Sequence, residues 1–224
     1  MNQPNQDEPA VIVFDLDGTI TRYDTYVRFL LFVIYRNPLK LFRLPVLAID
    51  VLRHKLGFKS NTWLKVQFLN AILTGQKRDT LNALAVSFCQ KVVKTGIHSD
   101  AKECIKQHKH KGDELVLLSA SLDIYVEQMG VMLGFKHIIC TRTCWDNDVL
   151  GNKLDGENCY GAVKAERIKQ WLESRTNSQF LTAYADHETD FPLLKLADKG
   201  IVVNPDEKLR LKAQNNNLEI IDWK

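Results

Sequence analysis

Two pairs of carboxylates, one serine and one lysine have the types and spacing to do chemistry in this chain. In Phe14-Asp15-Leu16-Asp17-Gly18-Thr19, Asp15 and Asp17 stand two residues apart, directly after the short apolar run Ala10 to Phe14. Two carboxylates at the end of a buried segment are costly unless a cation joins them. Gly18 gives the backbone freedom to turn sharply and lets a ligand come close. A hard cation such as Mg²⁺ takes oxygen ligands and retains water, so it suits such a site. An Asx-rich turn capping a helix would use the same string with no chemistry at all. The second pair, Asp186 and Asp190, follows the apolar run Phe180 to Ala185. If the two runs are neighbouring strands, the pairs meet, and together they can hold one Mg²⁺ and orient its waters. Acidic residues complementing a helix N-terminus would explain Glu188 well and Asp186 less well. Ser119 ends a third apolar run, Leu115 to Leu118. Its hydroxyl and the N–H groups after it can hold phosphate oxygens at a helix start, and a plain N-cap uses the same geometry. Lys164, in Gly161-Ala-Val-Lys-Ala-Glu-Arg167, opposes the dipole of a helix start, a cost that an anionic partner offsets.

These residues need a scaffold that brings strand ends together. Ala10 to Phe14, Leu115 to Leu118, Phe180 to Ala185, Gly200 to Val203 and Leu218 to Trp223 read as strands. Leu122 to Leu133, Ala162 to Glu173 and Thr189 to Ala197 have helical periodicity between them. Alternation of this kind predicts an α/β layer fold with a mainly parallel sheet. Ligands bind such sheets beyond the carboxyl ends of the strands, and three of those ends carry Asp15/Asp17, Ser119 and Asp186. Tyr23 to Tyr35, Pro38 to Leu56, Thr62 to Leu73 and Lys77 to Lys94 break the alternation and all read as helices. The division expected is therefore a core of residues 1–21 and 95–224 with a helical insert at 22–94.

Composition bounds the function. The chain has 224 residues, 45% apolar and 25% charged, the balance of a folded globular protein rather than a disordered, collagen-like or coiled-coil one. A net charge of +3 is too small to indicate a nucleic-acid partner. Five cysteines, an odd number without a CxxC pair, and a start lacking the basic-then-apolar layout of a signal peptide predict a reducing, cytoplasmic setting. Cys140 and Cys144 have no partner pair at zinc-ligand spacing. The longest unbroken apolar run, Phe29 to Tyr35, is far short of the about 20 residues that cross a bilayer. Trp63, Trp145, Trp171 and Trp223 read as core or core-edge residues, the cysteines as small buried hydrophobes, and His108 and His110 as a solvated helix end.

The order D-x-D-G-T, apolar strand ending in Ser, Lys, D-x-x-x-D resembles the haloacid dehalogenase superfamily of Mg²⁺-dependent phosphatases. The helical insert is similar to its small C1-type cap on a Rossmann-like parallel core. Leu118-Ser-Ala-Ser-Leu-Asp123, Leu133-Gly-Phe135, Cys159-Tyr-Gly-Ala-Val-Lys164 and Asp190-Phe-Pro-Leu-Leu194 resemble the phosphoserine-phosphatase-like branch, subfamily IB. The resemblance implies that Asp15 is the nucleophile, giving an aspartyl-phosphate, and that Asp17 is the general acid and then base. It implies a Mg²⁺ site from the Asp15 carboxylate, the Asp17 carbonyl and Asp186, with Asp190 orienting metal waters and Lys164. It implies that Ser119 and Lys164 hold the phosphoryl oxygens. The chain departs from the family in Ala185-Asp186-His187, where Gly-Asp-Ser is usual. Phosphoserine phosphatases carry Glu after the first motif to grip the substrate ammonium; here Asp24, with a shorter reach, is the candidate.

Residues Arg28 to Lys59 hold seven Lys or Arg and one acid, Asp50, interleaved with Phe29 to Tyr35 and Leu44 to Ile49. A basic, strongly apolar helical segment suits an anionic membrane surface. This stretch is similar to the cap of bacterial phosphatidylglycerophosphate phosphatases of the superfamily, including Arg36-Asn-Pro-Leu39. A phospholipid head-group monoester, met at the inner membrane face, is the substrate this suggests, and a cap core whose lysines are simply solvated is the other reading of the same stretch. A small phosphorylated metabolite such as phosphoserine, a phosphomutase reaction, and a non-catalytic phospholigand module are the alternatives. Release of inorganic phosphate separates hydrolase from mutase. Dehalogenase chemistry needs neither metal nor a second acid, and Asp17 and Asp186 are both present.

Overall fold

A computed structural model describes residues 9–175 and 180–224. Strand β1 (Val11–Phe14) lies at the centre of a seven-stranded sheet of order β4-β3-β2-β1-β5-β6-β7. The others are β2 (Glu114–Leu122), β3 (His137–Asp146), β4 (Val149–Asp155), β5 (Leu181–Ala185), β6 (Lys199–Val203) and β7 (Glu219–Ile221). All neighbours pair parallel except β3 with β4. β1 is apolar at every position because both its faces are covered: Ile12 and Phe14 join one buried cluster, Val11 and Val13 the other. Its register aligns Phe14 with Leu117 of β2 and Tyr184 of β5. Asp15 and Asp186 therefore leave β1 and β5 at the carboxyl ends of the strands, and Ser119 lies beside them within β2.

After β1 the chain forms in turn α1 (Thr25–Arg36), a 3-10 helix (Pro38–Arg43), α2 (Leu44–Lys55), α3 (Asn61–Ile72) and α4 (Arg78–Thr95). Asp24 caps α1 by accepting the Val27 N–H, and Phe29, Leu30, Val33 and Ile34 bury one face of it. α4 packs on α6 (Asp123–Leu133), where Phe29, Phe88 and Tyr125 form an aromatic cluster with centroids 4.7–5.5 Å apart. The remaining helices are α5 (Ser99–Lys111), α7 (Ala162–Glu173), α8 (Phe191–Leu196, entered through a short 3-10 turn) and α9 (Glu207–Gln214). No helix among the described residues is long and apolar enough to cross a membrane.

The sequence pattern and the structure differ in four places. The helix expected over Pro38 to Leu56 divides at Leu44, because Pro45 has no N–H to continue the preceding turn and fits the first turn of a new helix. β3 and β4 are not among the five strands expected. They form an edge hairpin whose polar, half-exposed residues obscure the alternation, and Asn147-Asp148 turns it with positive φ of 45° and 61°. α5 and α9 are short and mostly polar, so no apolar stripe announces them. His108 is not solvated: its Nδ1 meets Asp113 Oδ2 at 2.6 Å and its Nε2 meets the Tyr184 hydroxyl at 3.1 Å. The four tryptophans are half-buried; Cys89, Cys140 and Cys159 are buried, whereas Cys104 and Cys144 lie nearer the surface.

Candidate active site

A cavity of about 600 Å³ opens above the carboxyl ends of β1, β2 and β5, roofed by α1 and α3. Asp15, Asp17, Gly18, Lys164, Asp186 and Asp190 all line it, so the residues named from the two acidic motifs and the lysine meet at one place. The parallel pairing of β1 with β5 is what brings the two carboxylate pairs together.

Lys164 enters from the first turn of α7 and is buried. Its ammonium donates to Asp15 Oδ1 at 2.6 Å and to Asp190 Oδ2 at 2.7 Å. Burial works against its charge, but the two carboxylates outweigh that and hold its pKa above the ordinary lysine value. Burial pushes the Asp15 carboxyl well up, with Lys164 opposing and Asp190, Asp186 and Asp17 adding to the rise. Asp186, also raised chiefly by burial, reaches about 6. The Thr19 hydroxyl bridges the two, 3.3 Å from Asp15 Oδ2 and 3.1 Å from Asp186 Oδ1. Gly18, at φ +83°, passes so close to Asp186 that a Cβ there would lie 2.0 Å from Oδ2. Only glycine suits both the backbone and the space.

Asp17 is held by the helical insert. Its Oδ1 accepts from the Thr25 N–H at 2.6 Å and the Thr25 hydroxyl at 2.5 Å, and its Oδ2 accepts from the Ser121 hydroxyl at 2.6 Å. Because the Thr25 hydroxyl gives its proton to Asp17, the Tyr125 hydroxyl 2.9 Å away is the donor to Thr25. Burial raises the Asp17 carboxyl, and Asp24 adds to that rise, while these donors oppose it.

Four carboxylates and one ammonium in a buried space leave an excess of negative charge that a divalent cation would balance. The donors are oxygens only, which suits Mg²⁺. Asp190 Oδ1 is buried with no hydrogen-bond partner, an orphan acceptor of the kind a metal-bound water satisfies. No group of three or more His, Cys, Asp or Glu side chains converges on one point among the described residues. The set the family resemblance implies, Asp15 and Asp186 with the Asp17 carbonyl, uses two carboxylates and needs no third to converge, and water would complete it.

Ser119 is fully buried just below the cavity, its Oγ accepting the Ser121 N–H at 3.1 Å, while Ala120 and Ser121 line the wall. Asp24 lines the outer wall, and His187 lies exposed at the rim, its Nδ1 accepting the Thr189 N–H. Sequence reasoning passed over Lys65. From α3 its ammonium reaches Ala120 O at 2.5 Å and Asn158 Oδ1 at 2.6 Å. Asn158 in turn donates to Asn61 and Thr62 of α3, and Thr141 donates to Ala120 O and Asn158 Oδ1. Lys65 has no carboxylate partner among the described residues, and burial lowers its pKa to about 8. The only signal for it in the sequence is a lysine set among the apolar residues of a helix.

A haloacid dehalogenase-like hydrolase family model matches residues 12–195. A Streptomyces azureus protein named for inhibition of morphological differentiation is 27% identical over 157 residues, 70% of this chain and 57% of that protein. A phosphoserine phosphatase of Mycobacterium tuberculosis is 24% identical over 155 residues, 69% of this chain and 50% of that protein. The chain thus spans about half the length of these curated relatives. A solved structure of a Bordetella pertussis protein of unknown function superposes with a TM-score of 0.81 at 22% identity, covering 96% of this chain and 99% of that one.

Proposed function

Because the chain belongs to the haloacid dehalogenase-like hydrolase family, we propose that it is a Mg²⁺-dependent phosphomonoesterase that works through an aspartyl-phosphate. The observation that carries this reading is the Asp15–Lys164–Asp190 contact beside Asp17 in one cavity. An Asp15 oxygen attacks phosphorus, the P–O ester bond breaks, and the leaving oxygen takes the proton of Asp17. Asp17, now a carboxylate, takes a proton from water as that water attacks the phosphoryl group. Asp15 is regenerated and inorganic phosphate leaves. Lys164 and Ser119 hold phosphoryl oxygens, and Asp190 keeps Lys164 in place. Asp15, Asp186 and the Asp17 carbonyl would hold Mg²⁺, which when bound would supply the neutralisation a carboxylate needs to approach a phosphate dianion. Thr25, at the first turn of α1, aims Asp17. The test is phosphate release from p-nitrophenyl phosphate with Mg²⁺, with EDTA, and with Asp15→Asn. Activity that survives EDTA or the substitution sinks the mechanism, and phosphate binding with no turnover favours a non-catalytic module.

The substrate class proposed is a monoester with a second negative charge, which Lys65 meets from the roof of the cavity. A phospholipid head-group phosphate fits this, and the insert supplies the surface to reach it. Phe42 is 82% exposed, Leu39 75% and Phe58 73%, and α2 turns Val46, Ile49 and Leu52 outward while burying Leu47 and Asp50. Arg43, Lys55 and Lys59 stand among them. An apolar, basic face of this kind matches an anionic bilayer. A second reading, a small metabolite such as phosphoserine, is favoured by Asp24 on the cavity wall, where it would face a substrate ammonium. Hydrolysis of phosphatidylglycerophosphate against phosphoserine separates the two.

A further inference from the structure

A second cavity, of about 520 Å³, lies between α1 and α4, away from the catalytic carboxylates. Leu31, Phe32 and Tyr35 of α1 and the buried Phe88 and Val92 of α4 give it an apolar floor and wall. Three cations, Arg28, Arg36 and Lys91, stand round it. The Arg28 guanidinium lies over the Tyr23 ring at 3.6 Å and that of Arg36 over Phe32 at 5.0 Å. Stacking fixes a guanidinium while leaving its N–H edge open to an acceptor. Among the described residues none of the three side chains has an ion-pair or hydrogen-bond partner.

Within their ranges neither helix carries an acid beside them, and the N-cap Asp24, four residues before Arg28, turns one oxygen to the Val27 N–H instead. α1 has no Asp or Glu, and the only one on α4, Asp79, lies twelve residues before Lys91, about 18 Å along the helix. A solvated helix face usually alternates its charges; this groove presents cations alone over apolar side chains. Its open end, at Tyr35 (81% exposed) and Arg36, is where the chain turns into the 3-10 helix bearing the exposed Leu39 and Phe42.

We propose that this groove binds one anionic phospholipid of the bilayer. The head-group phosphate meets Arg36 and Lys91, with Arg28, about 12 Å along α1 from Arg36, adding to the positive field, and the first methylenes of an acyl chain lie on Leu31, Phe32 and Tyr35. The site shares Tyr23 with the wall of the catalytic cavity but none of its carboxylates or lysines, and its occupant is a bound lipid rather than a substrate. It rests on the reading of the insert as a membrane-facing element and adds to it a discrete head-group site. Two anchors of different kind, an inserted apolar face and a gripped head group, would fix the orientation of the catalytic cavity relative to the membrane.

The test uses the whole chain, vesicles of phosphatidylcholine with and without phosphatidylglycerol, and a short-chain phosphatidylglycerol kept below its micelle concentration. Two double variants are compared: Arg36→Glu with Lys91→Glu, and Lys55→Glu with Lys59→Glu, which makes the same charge change outside the groove. Melting temperature and p-nitrophenyl phosphate hydrolysis report on the fold. Wild type and the Lys55/Lys59 variant are expected to bind the monomeric lipid. The Arg36/Lys91 variant is expected to bind it at least about tenfold more weakly. If both double variants lose vesicle binding equally and neither they nor wild type bind monomer, only diffuse attraction operates and the groove is no site. If wild type ignores phosphatidylglycerol vesicles altogether, the membrane reading fails and this proposal with it. Binding of an acidic amphipathic peptide, with none of lipid, would assign the groove to a protein partner and overturn the proposal.

Discussion

Replacing Lys65 by methionine separates two roles the lysine could have, holding the insert to the core and reading the substrate. The stability side is nearly balanced. Burial lowers the Lys65 pKa from 10.5 to about 8, a cost of about 3 kcal/mol while the residue is charged. The folded pKa lies below the unfolded one, so that cost is fully present below about pH 8 and fades as the pH rises toward 10.5. Methionine removes it. Against this, the Ala120 carbonyl and Asn158 Oδ1 lose a donor. The Thr141 hydroxyl, 2.7 and 3.0 Å from them, has one proton and can serve fully only one of the two. One buried acceptor left short costs about 1–3 kcal/mol. The melting temperature of Lys65→Met is therefore expected close to wild type near neutral pH. The catalytic side is not balanced. A charge-assisted contact is worth about 1.5–3 kcal/mol, or about 10- to 150-fold in kcat/KM for a substrate with a second anionic group. p-Nitrophenyl phosphate, which has none, should be hydrolysed within a few-fold of wild type. The kcat/KM of wild type on the doubly charged substrate should fall above about pH 8, as Lys65 loses its proton, and Lys65→Met should lack that limb. Equal loss on both substrates, or a pH limb that survives the substitution, would refute the reasoning and leave Lys65 a structural tie.

Thr25→Val keeps the N–H to Asp17 and removes the hydroxyl, so kcat should drop by about 10- to 100-fold with KM little changed; a change in KM alone would show that Thr25 does not aim the acid. Gly18→Ala places a Cβ into Asp186 at a positive φ, and Mg²⁺-dependent phosphate release should fall below detection while the far-ultraviolet circular dichroism stays native. Asp190→Asn leaves Lys164 with one carboxylate instead of two; activity should fall at least about tenfold and the Mg²⁺ concentration for half-activity should rise, read by titration of the metal. Phe14→Ala empties a buried site stacked 4.5 Å from the Tyr184 ring, and the urea midpoint should fall by the equivalent of about 3–5 kcal/mol.

How far the site could be read from the sequence follows from where its residues sit. Asp15, Ser119 and Asp186 follow apolar runs that have to be buried strands, and the ends of parallel strands lie at one edge. Type and place were therefore legible together, and the β1–β5 pairing meets the condition on which the two acidic pairs depended. Thr25, Ser121, Lys65 and Asn158 have no such marker. Each is an ordinary polar residue whose meaning comes from a contact 8 to 104 positions away in the chain: Thr25 and Ser121 on Asp17, Lys65 on Asn158. The β3–β4 hairpin escaped for a related reason. An edge with one face in water needs no continuous apolar run, and its turn is marked only by two residues that tolerate positive φ.

The same contrast bears on how the insert and the core divide the work. The Asp15–Lys164–Asp190 contact lies within the strand-and-helix layers of the sheet, and among the described residues no side chain of the insert hydrogen-bonds to it. Asp17 differs: two of its three donors come from Thr25, the residue at which the insert begins its first helix. The proposed general acid is thus tied to the segment that covers it. Lys65 ties the same segment to Ala120 of β2 and to Asn158, just ahead of α7. A movement of α1 and α3 away from the sheet would break both ties at once, leaving Asp15 and Lys164 assembled but Asp17, in the proposed role of acid, unaimed. Insert position should therefore act on leaving-group departure rather than on attack. A substrate with a good leaving group, such as p-nitrophenyl phosphate, should tolerate Thr25→Val far better than an alkyl phosphate, and equal sensitivity of the two would place the effect of Thr25 elsewhere than on Asp17.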